Sequence, residues 1–172
     1  DIDRTLTGRQ GLACPGSRVL RGVWDDACGG GDLTLSPLGA RGVHSTACGG
    51  CAIGAVSHGG AGGRTMHNII LGALGSPAGG WSRPGDVHSP LVLGCGYKPP
   101  CVQGVLNWYN RRGAGISPRN VYVFDDKGSN VRTFYGSPFN ARQVSCASPG
   151  GGIGLCGASP HEIRLERGVS TC

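Results

Sequence analysis

Val121-Tyr-Val-Phe-Asp125-Asp126 is the most strand-like run in the chain: four apolar or aromatic residues, β-branched at alternate positions, that stop on a pair of acids. Upstream of it, Pro99 and Pro100 suit the first turn of a helix, and Val102, Val105, Leu106 and Tyr109 give that helix an apolar stripe. Leu91-Val92-Leu93 precedes the helix as a short strand, after a loop over 75–90. Residues 65–74 carry Met66, Ile69, Ile70 and Leu74 at helical spacing. Cys51-Ala-Ile-Gly-Ala-Val56 reads as a buried strand ending at Ser57-His58-Gly59-Gly60. Further out, 33–43 holds a short helix, 8–33 a loop or hairpin excursion, and Arg142-Gln-Val-Ser-Cys146 an edge strand.

Strands alternating with helices place the chain in the α/β class, with a mainly parallel sheet covered by helices and joined by glycine-rich loops. Ligands of such sheets bind beyond the carboxyl ends of the strands. Ser57 and Asp125 fall at such ends. Asp1 and Asp3 do as well, because Asp1-Ile-Asp-Arg-Thr-Leu-Thr-Gly8 reads as a strand end running into a loop with both acids on one side. The length, 172 residues, fits one domain over 1–172, with 146–172 as a cysteine-bearing C-terminal tail.

Thirty-four glycines in 172 residues mean much turn and loop, and their lack of a three-residue period excludes a collagen-like helix. The formal charge of +6 is spread along the chain, and aromatic residues are 6 %, so a nucleic-acid surface is poorly supported. No run approaches the roughly 18 apolar residues that span a bilayer, and no signal-like segment opens the chain, so the expectation is a soluble molecule without a membrane partner, already processed if secreted.

Eight of the nine cysteines sit in near pairs: Cys14 with Cys28, Cys48 with Cys51, Cys95 with Cys101, Cys146 with Cys156. They point to disulfides and to an extracellular or secretory compartment; reduced cysteines would point to the cytoplasm. At least three intrachain bonds are expected, foremost Cys146 with Cys156 and Cys95 with Cys101, where short loops separate the partners. Nine is odd, and the terminal Cys172 is the natural candidate for a bond to another copy. Zinc at Cys48-Gly-Gly-Cys51 lacks a second ligand pair, and a lone Cys-x-x-Cys is a weak redox signal.

Asp1-Ile-Asp3-Arg-Thr5-Leu-Thr7 resembles the first motif of the haloacid dehalogenase (HAD) superfamily of phosphohydrolases, Asp-x-Asp-x-Thr-[Leu/Val]-Thr. Ala-Ile-Gly-Ala-Val-Ser57 resembles the second motif, Lys98-Pro99 the third, and Val-Tyr-Val-Phe-Asp125-Asp126-x₃-Asn130 the fourth, in order over 1 to about 145. The resemblance implies a Rossmann-like three-layer sandwich and Mg²⁺-dependent hydrolysis of a phosphorylated substrate. Asp1 would be the nucleophile and Asp3 the general acid and base, while Ser57 and Lys98 would hold the phosphate oxygens. Asp1, the carbonyl of Asp3, Asp125 and Asp126 would surround the Mg²⁺, with Asp125 ahead of Asp126.

The family's nucleophile ends a central apolar strand, whereas Asp1 is the first residue of this sequence. A sheet lacking its central strand would expose backbone N–H and C=O groups, so that position should be filled by upstream residues or by a neighbour's donated strand. A free α-amino group there would be a cation at neutral pH beside the phosphate site. About fifty residues separate Asp1 from Ser57 and no folded insert lies between Ser57 and Lys98, so no large cap domain is expected. The glycine and cysteine content supports a second reading, a secreted, disulfide-linked structural or assembly protein, filament-forming or otherwise, that reuses the fold without catalysis. The histidines, His44, His58, His67, His88 and His161, lack ligand spacing, and only His58 beside Ser57 is placed to reach substrate. Trp24, Trp81 and Trp108 read as packing residues.

Overall fold

The computed structural model describes residues 1–77, 79–146 and 155–172, so the 147–154 part of the expected tail lies outside the described residues. The chain starts as a turn, with the N–H groups of Thr5, Leu6 and Thr7 converging on the carbonyl of Ile2 at 3.1, 2.9 and 3.1 Å. An antiparallel hairpin follows, β1 (Arg18–Asp25) and β2 (Gly31–Leu35). The helix expected over 33–43 is therefore split. Leu33 to Leu35 pair with β1, Ser36 accepts a hydrogen bond from the Gly39 N–H at 3.0 Å, and Pro37 opens a five-residue α1 (Pro37–Arg41).

Two small parallel sheets carry the remainder. One has the order β3-β5-β4, from β3 (Ala55–Val56), β4 (Trp81–Ser82) and β5 (Leu91–Val92). The other has the order β6-β7-β8, from β6 (Tyr122–Asp125), β7 (Asn140–Gln143) and β8 (Val169–Ser170). In sequence, α2 (Arg64–Ala73) runs between β3 and β4 and α3 (Lys98–Asn110) between β5 and β6, with a short α4 (Gly128–Arg132) after β6. Both long helices match the apolar periodicity: α2 buries Met66, Ile70 and Ala73, and α3 buries Cys101, Val102 and Leu106.

Several strand boundaries differ from the sequence expectation. The strand over 51–56 shrinks to two residues because Cys51, bonded to Cys48, stays in the preceding turn. The expected edge strand at 142–146 begins two residues earlier and lies between β6 and β8. The loop 75–90 contains β4.

Side-chain alternation along β5 explains the layering. Leu91 and Leu93 join the core of Ile2, Leu6, Leu38, Met66 and Ile70, whereas Val92 joins the core of Val102, Leu106, Val131 and Phe134. The short strands therefore have apolar cores on both faces, one shared with α1 and α2 and the other with α3, an α/β arrangement.

The outer edges of β3 and β6 border one groove of about 570 Å³, lined by Ile53 and Val56 on one side and Tyr122 and Phe124 on the other. In a parallel strand alternate residues direct their N–H and C=O to opposite neighbours. Ala55 and Ser57 donate to β5, so the peptide groups of Val56 point into the groove. Val121 and Asp125 accept from the β7 side, so those of Tyr122 and Phe124 do too.

Four disulfides close the chain: Cys14–Cys156, Cys48–Cys51, Cys95–Cys101 and Cys146–Cys172. Two of these match the near pairs. The expected Cys14–Cys28 and Cys146–Cys156 bonds are not formed, because the tail folds back on the first loop. The Arg9 N–H reaches the Leu155 carbonyl at 2.6 Å and the Ala158 N–H reaches the Thr5 carbonyl at 3.0 Å, which brings Cys156 to Cys14. The approach requires Gly157, at φ +73°, since a Cβ there would lie 2.1 Å from the Thr7 carbonyl oxygen. Cys172 is bonded within the chain, and Cys28 is the exposed free thiol. Four disulfides are consistent with an oxidising compartment, and among the described residues no helix is long and apolar enough to cross a membrane.

Loop-closure entropy ranks these bonds. Cys14–Cys156 spans 142 residues and Cys48–Cys51 spans 3, so the first removes about 5 kcal/mol of unfolded-state freedom and the second under about 2. In thermal melts, replacing Cys14 and Cys156 by Ser should lower the Tm by roughly 10 °C or more, and replacing Cys48 and Cys51 should lower it by less than half of that. Equal losses would show that the long bond does not tie the tail to the first loop.

Candidate active site at the carboxyl ends of the strands

Lys98, the first residue of α3, is 3 % exposed, and its ammonium donates to Asp1 Oδ1 at 2.6 Å and to Asp125 Oδ2. Local structure holds it there. The Cys95–Cys101 bond ties the loop before α3 to the first helical turn, and the Cys95 N–H donates to the Ser57 carbonyl at 2.9 Å, fixing that loop to the end of β3. Asp125 ends β6 with no exposure. Its carboxylate also accepts from the Lys127 N–H at 2.9 Å and from Asn130 Nδ2 at 3.0 and 3.3 Å, which closes the turn into α4.

Asp126 completes an acidic cluster: one carboxylate oxygen each from Asp1, Asp125 and Asp126 lies within 4.8 Å of the others. One ammonium faces three carboxylates. Burial first, and the neighbouring Asp125 second, push the Asp126 pKa up to about 6. The α-amino group of Asp1 donates to the Phe124 carbonyl at 2.8 Å. Burial, then Lys98, lowers its pKa from 8.0 to about 5. A free amine at this position would therefore be a weaker cation than an ordinary terminus.

Asp3 lies against Gly59, where a Cβ would come within 3.4 Å of Asp3 Oδ2. Burial, and next the charge of Asp25, raise its pKa. Asp3 Oδ1, Thr5 Oγ1 and Ser57 Oγ are buried with no hydrogen-bond partner, each a cost of about 1–3 kcal/mol unless a ligand supplies one.

The structure thus brings Asp1, Lys98, Asp125 and Asp126 into one cluster and sets Asp3 beside Gly59, two residues beyond Ser57. Three contributors escape sequence reasoning. Asn130 holds Asp125, and its only signal is its place in the fourth motif. Asp25 and Asp26, at the end of β1, act electrostatically on Asp3, and Asp26 Oδ1 accepts from the Gly62 N–H at 3.1 Å; nothing in the 8–33 pattern marks them. Trp108 and Trp81 are largely packed, but Trp24 is 64 % exposed on the hairpin, because β1 turns its neighbour Asp25 inward. His58 lies near the loop before Lys98, with its ring 3.4 Å from a Cβ placed at Gly96.

The shifted groups have opposite effects on stability. Asp126 keeps a proton to about pH 6 when folded and loses it near 3.8 when unfolded, so stability falls as pH rises through that interval and the full cost remains above it. The α-amino group, lowered from 8.0 to about 5, makes stability rise with pH between those values. Asp126→Asn in chelator-treated protein should therefore raise the Tm at pH 7.5 by a few degrees, on the order of 1–3 kcal/mol, with the gain fading towards pH 4. A variant melting below the parent at pH 7.5 would contradict the charge imbalance.

Comparison of the chain with protein-family models, with curated proteins and with solved structures found no match.

Proposed function

We propose that the chain is a Mg²⁺-dependent phosphomonoesterase working through an aspartyl-phosphate on Asp1. The observation that carries this reading is the buried Lys98 ammonium shared by Asp1 and Asp125, with Asp126 alongside, at the carboxyl ends of parallel strands. The four motifs that resemble those of the HAD superfamily support it, and we read the two sheets as halves of one Rossmann-like three-layer sandwich.

The donor set fits a magnesium ion. Three oxygen-donating carboxylates against one ammonium leave a net charge of about −2, which a hard divalent cation would balance. Asp1, Asp125 and Asp126 would hold the ion, with the Asp3 carbonyl as a further donor; its chemistry there is to neutralise phosphate charge and orient the transferring group.

The chain's own groups account for proton and phosphoryl transfer. A carboxylate oxygen of Asp1 attacks phosphorus, the ester P–O bond breaks, and Asp3 gives its proton to the leaving oxygen. Asp3 then takes a proton from water as that water attacks phosphorus, which releases phosphate and restores the Asp1 carboxylate. The raised pKa of Asp3 suits a group that must carry a proton. Lys98 and the unpartnered Ser57 hydroxyl offer donors to the non-bridging oxygens.

The second reading, a secreted assembly protein without catalysis, is favoured by the open groove between β3 and β6. Its route through Cys172 is closed by the bond to Cys146, which leaves a donated strand or Cys28 as the linkage.

Turnover of a generic aryl phosphate separates the two. Asp1→Asn should abolish it and Asp3→Asn should lower kcat by roughly 10²–10⁴. Chelation should remove activity that Mg²⁺ restores in the parent but not in Asp125→Ala. Turnover unaffected by Asp1→Asn, or by chelation, would refute the respective role.

A further inference from the structure

We infer that the Cys48–Cys51 disulfide is a thiol–disulfide exchange site, which takes two electrons from a cysteine pair of another polypeptide and passes them on to an external disulfide. The Cys-Gly-Gly-Cys spacing is a weak signal by itself. The turn that carries it supplies the rest.

This bond holds no distant parts of the chain together. Cys14–Cys156 joins the first loop to the tail, Cys146–Cys172 joins the end of β7 to residue 172, and Cys95–Cys101 fixes the start of α3. Cys48 and Cys51 are separated by 3 in sequence and lie in one turn between α1 and β3. A disulfide resists reduction by as much as it stabilises the fold, and a loop this small contributes least.

The turn is also built without the bond. The N–H groups of Thr46, Gly49 and Cys51 donate to the carbonyls of Val43, Thr46 and Cys48, each at 3.1 Å. Thr46 Oγ1 donates to the Val43 carbonyl at 2.6 Å and accepts from the Cys48 N–H at 3.1 Å. His44 Nδ1 lies 3.3 Å from the Gly49 carbonyl, between the two cysteines. Reduced, the thiols therefore stay side by side on a formed turn, and the fold need not open when the bond does.

Access selects the sulfur that reacts. Cys48 is buried and Cys51 is half-buried, flanked by exposed Gly50 and Ala52. Nothing lies within 4 Å of a Cβ placed at Gly50, which leaves room for an approaching backbone. An incoming thiolate attacks Cys51 Sγ, the S–S bond breaks, and Cys48 leaves as a thiolate that takes up the proton shed by the incoming thiol. The second thiol of the pair then attacks its neighbour's sulfur in the mixed disulfide and releases Cys51, which is protonated in turn. The dithiol loses two electrons and two protons, and Cys48 with Cys51 gains both.

The test uses the whole chain with Cys28→Ser, which removes the exposed free thiol. In dithiothreitol redox buffers, alkylation and peptide mapping should find Cys48–Cys51 half-reduced at a reduced-to-oxidised ratio at least about tenfold below that of the other three bonds, with near-ultraviolet circular dichroism unchanged. A reduced peptide with two cysteines should be oxidised at least about tenfold faster by this protein than by the same protein carrying Cys48→Ser and Cys51→Ser. Cys48→Ser alone should form a lasting mixed disulfide with the oxidised peptide at least about tenfold faster than Cys51→Ser alone. The inference is overturned if another bond is reduced first, if reducing this one melts the fold, if the double variant oxidises the peptide equally fast, or if Cys51→Ser captures the peptide as fast as Cys48→Ser. Should a variant at Cys48 or Cys51 fail to fold, the redox titration, which needs neither, decides.

Discussion

The Lys98 ammonium, withdrawn from water and hydrogen-bonded to carboxylates 97 residues before it and 27 residues after it, is the contact on which the arrangement of the site depends. It joins the first turn of the chain, the start of α3 and the end of β6, three segments that share no sheet. A buried ion pair of this kind is not a large source of net stability, since the desolvation of three charged groups offsets much of the attraction. Removing the lysine alone would still be costly, because two carboxylates would be left buried and facing each other. What the pair supplies is preorganisation. The charges are held in place ahead of any ligand, which under the proposed function would spare rearrangement at the moment of reaction.

The surrounding structure serves that contact. The Cys95–Cys101 bond and the hydrogen bond from the Cys95 N–H to the Ser57 carbonyl set the start of α3, and the turn through Lys127 and Asn130 sets Asp125. The first turn is set by the tail, whose residues 155–158 lie against residues 5–9 and are locked there by Cys14–Cys156. Asp1 therefore depends on both ends of the chain.

Much of this was legible in the residues. Periodicity located α2 and α3 because their buried faces repeat at helical spacing, and the run ending at Asp125 marked β6 because its apolar residues give way to a buried pair of acids. The ordered motifs brought out Asp1, Asp3, Ser57, Lys98, Asp125 and Asp126, and four of these meet in one cluster. What escaped was non-local. Strands of two residues such as β3, β4 and β8 are defined by partners far away in sequence and have no pattern of their own. Disulfide connectivity cannot be read from spacing, and Cys146 passed over Cys156, ten residues on, for Cys172 at the end of the chain. Asp25 approaches Asp3 only because the hairpin folds over the first turn.

The most direct measurement is to react the protein with an aryl phosphate, quench it in acid and map phosphorylated peptides by mass spectrometry. The account predicts a phosphoryl group on the side chain of Asp1, and its loss when the quench is delayed. Phosphate released without any label on Asp1, or a stable label on another residue, would contradict it.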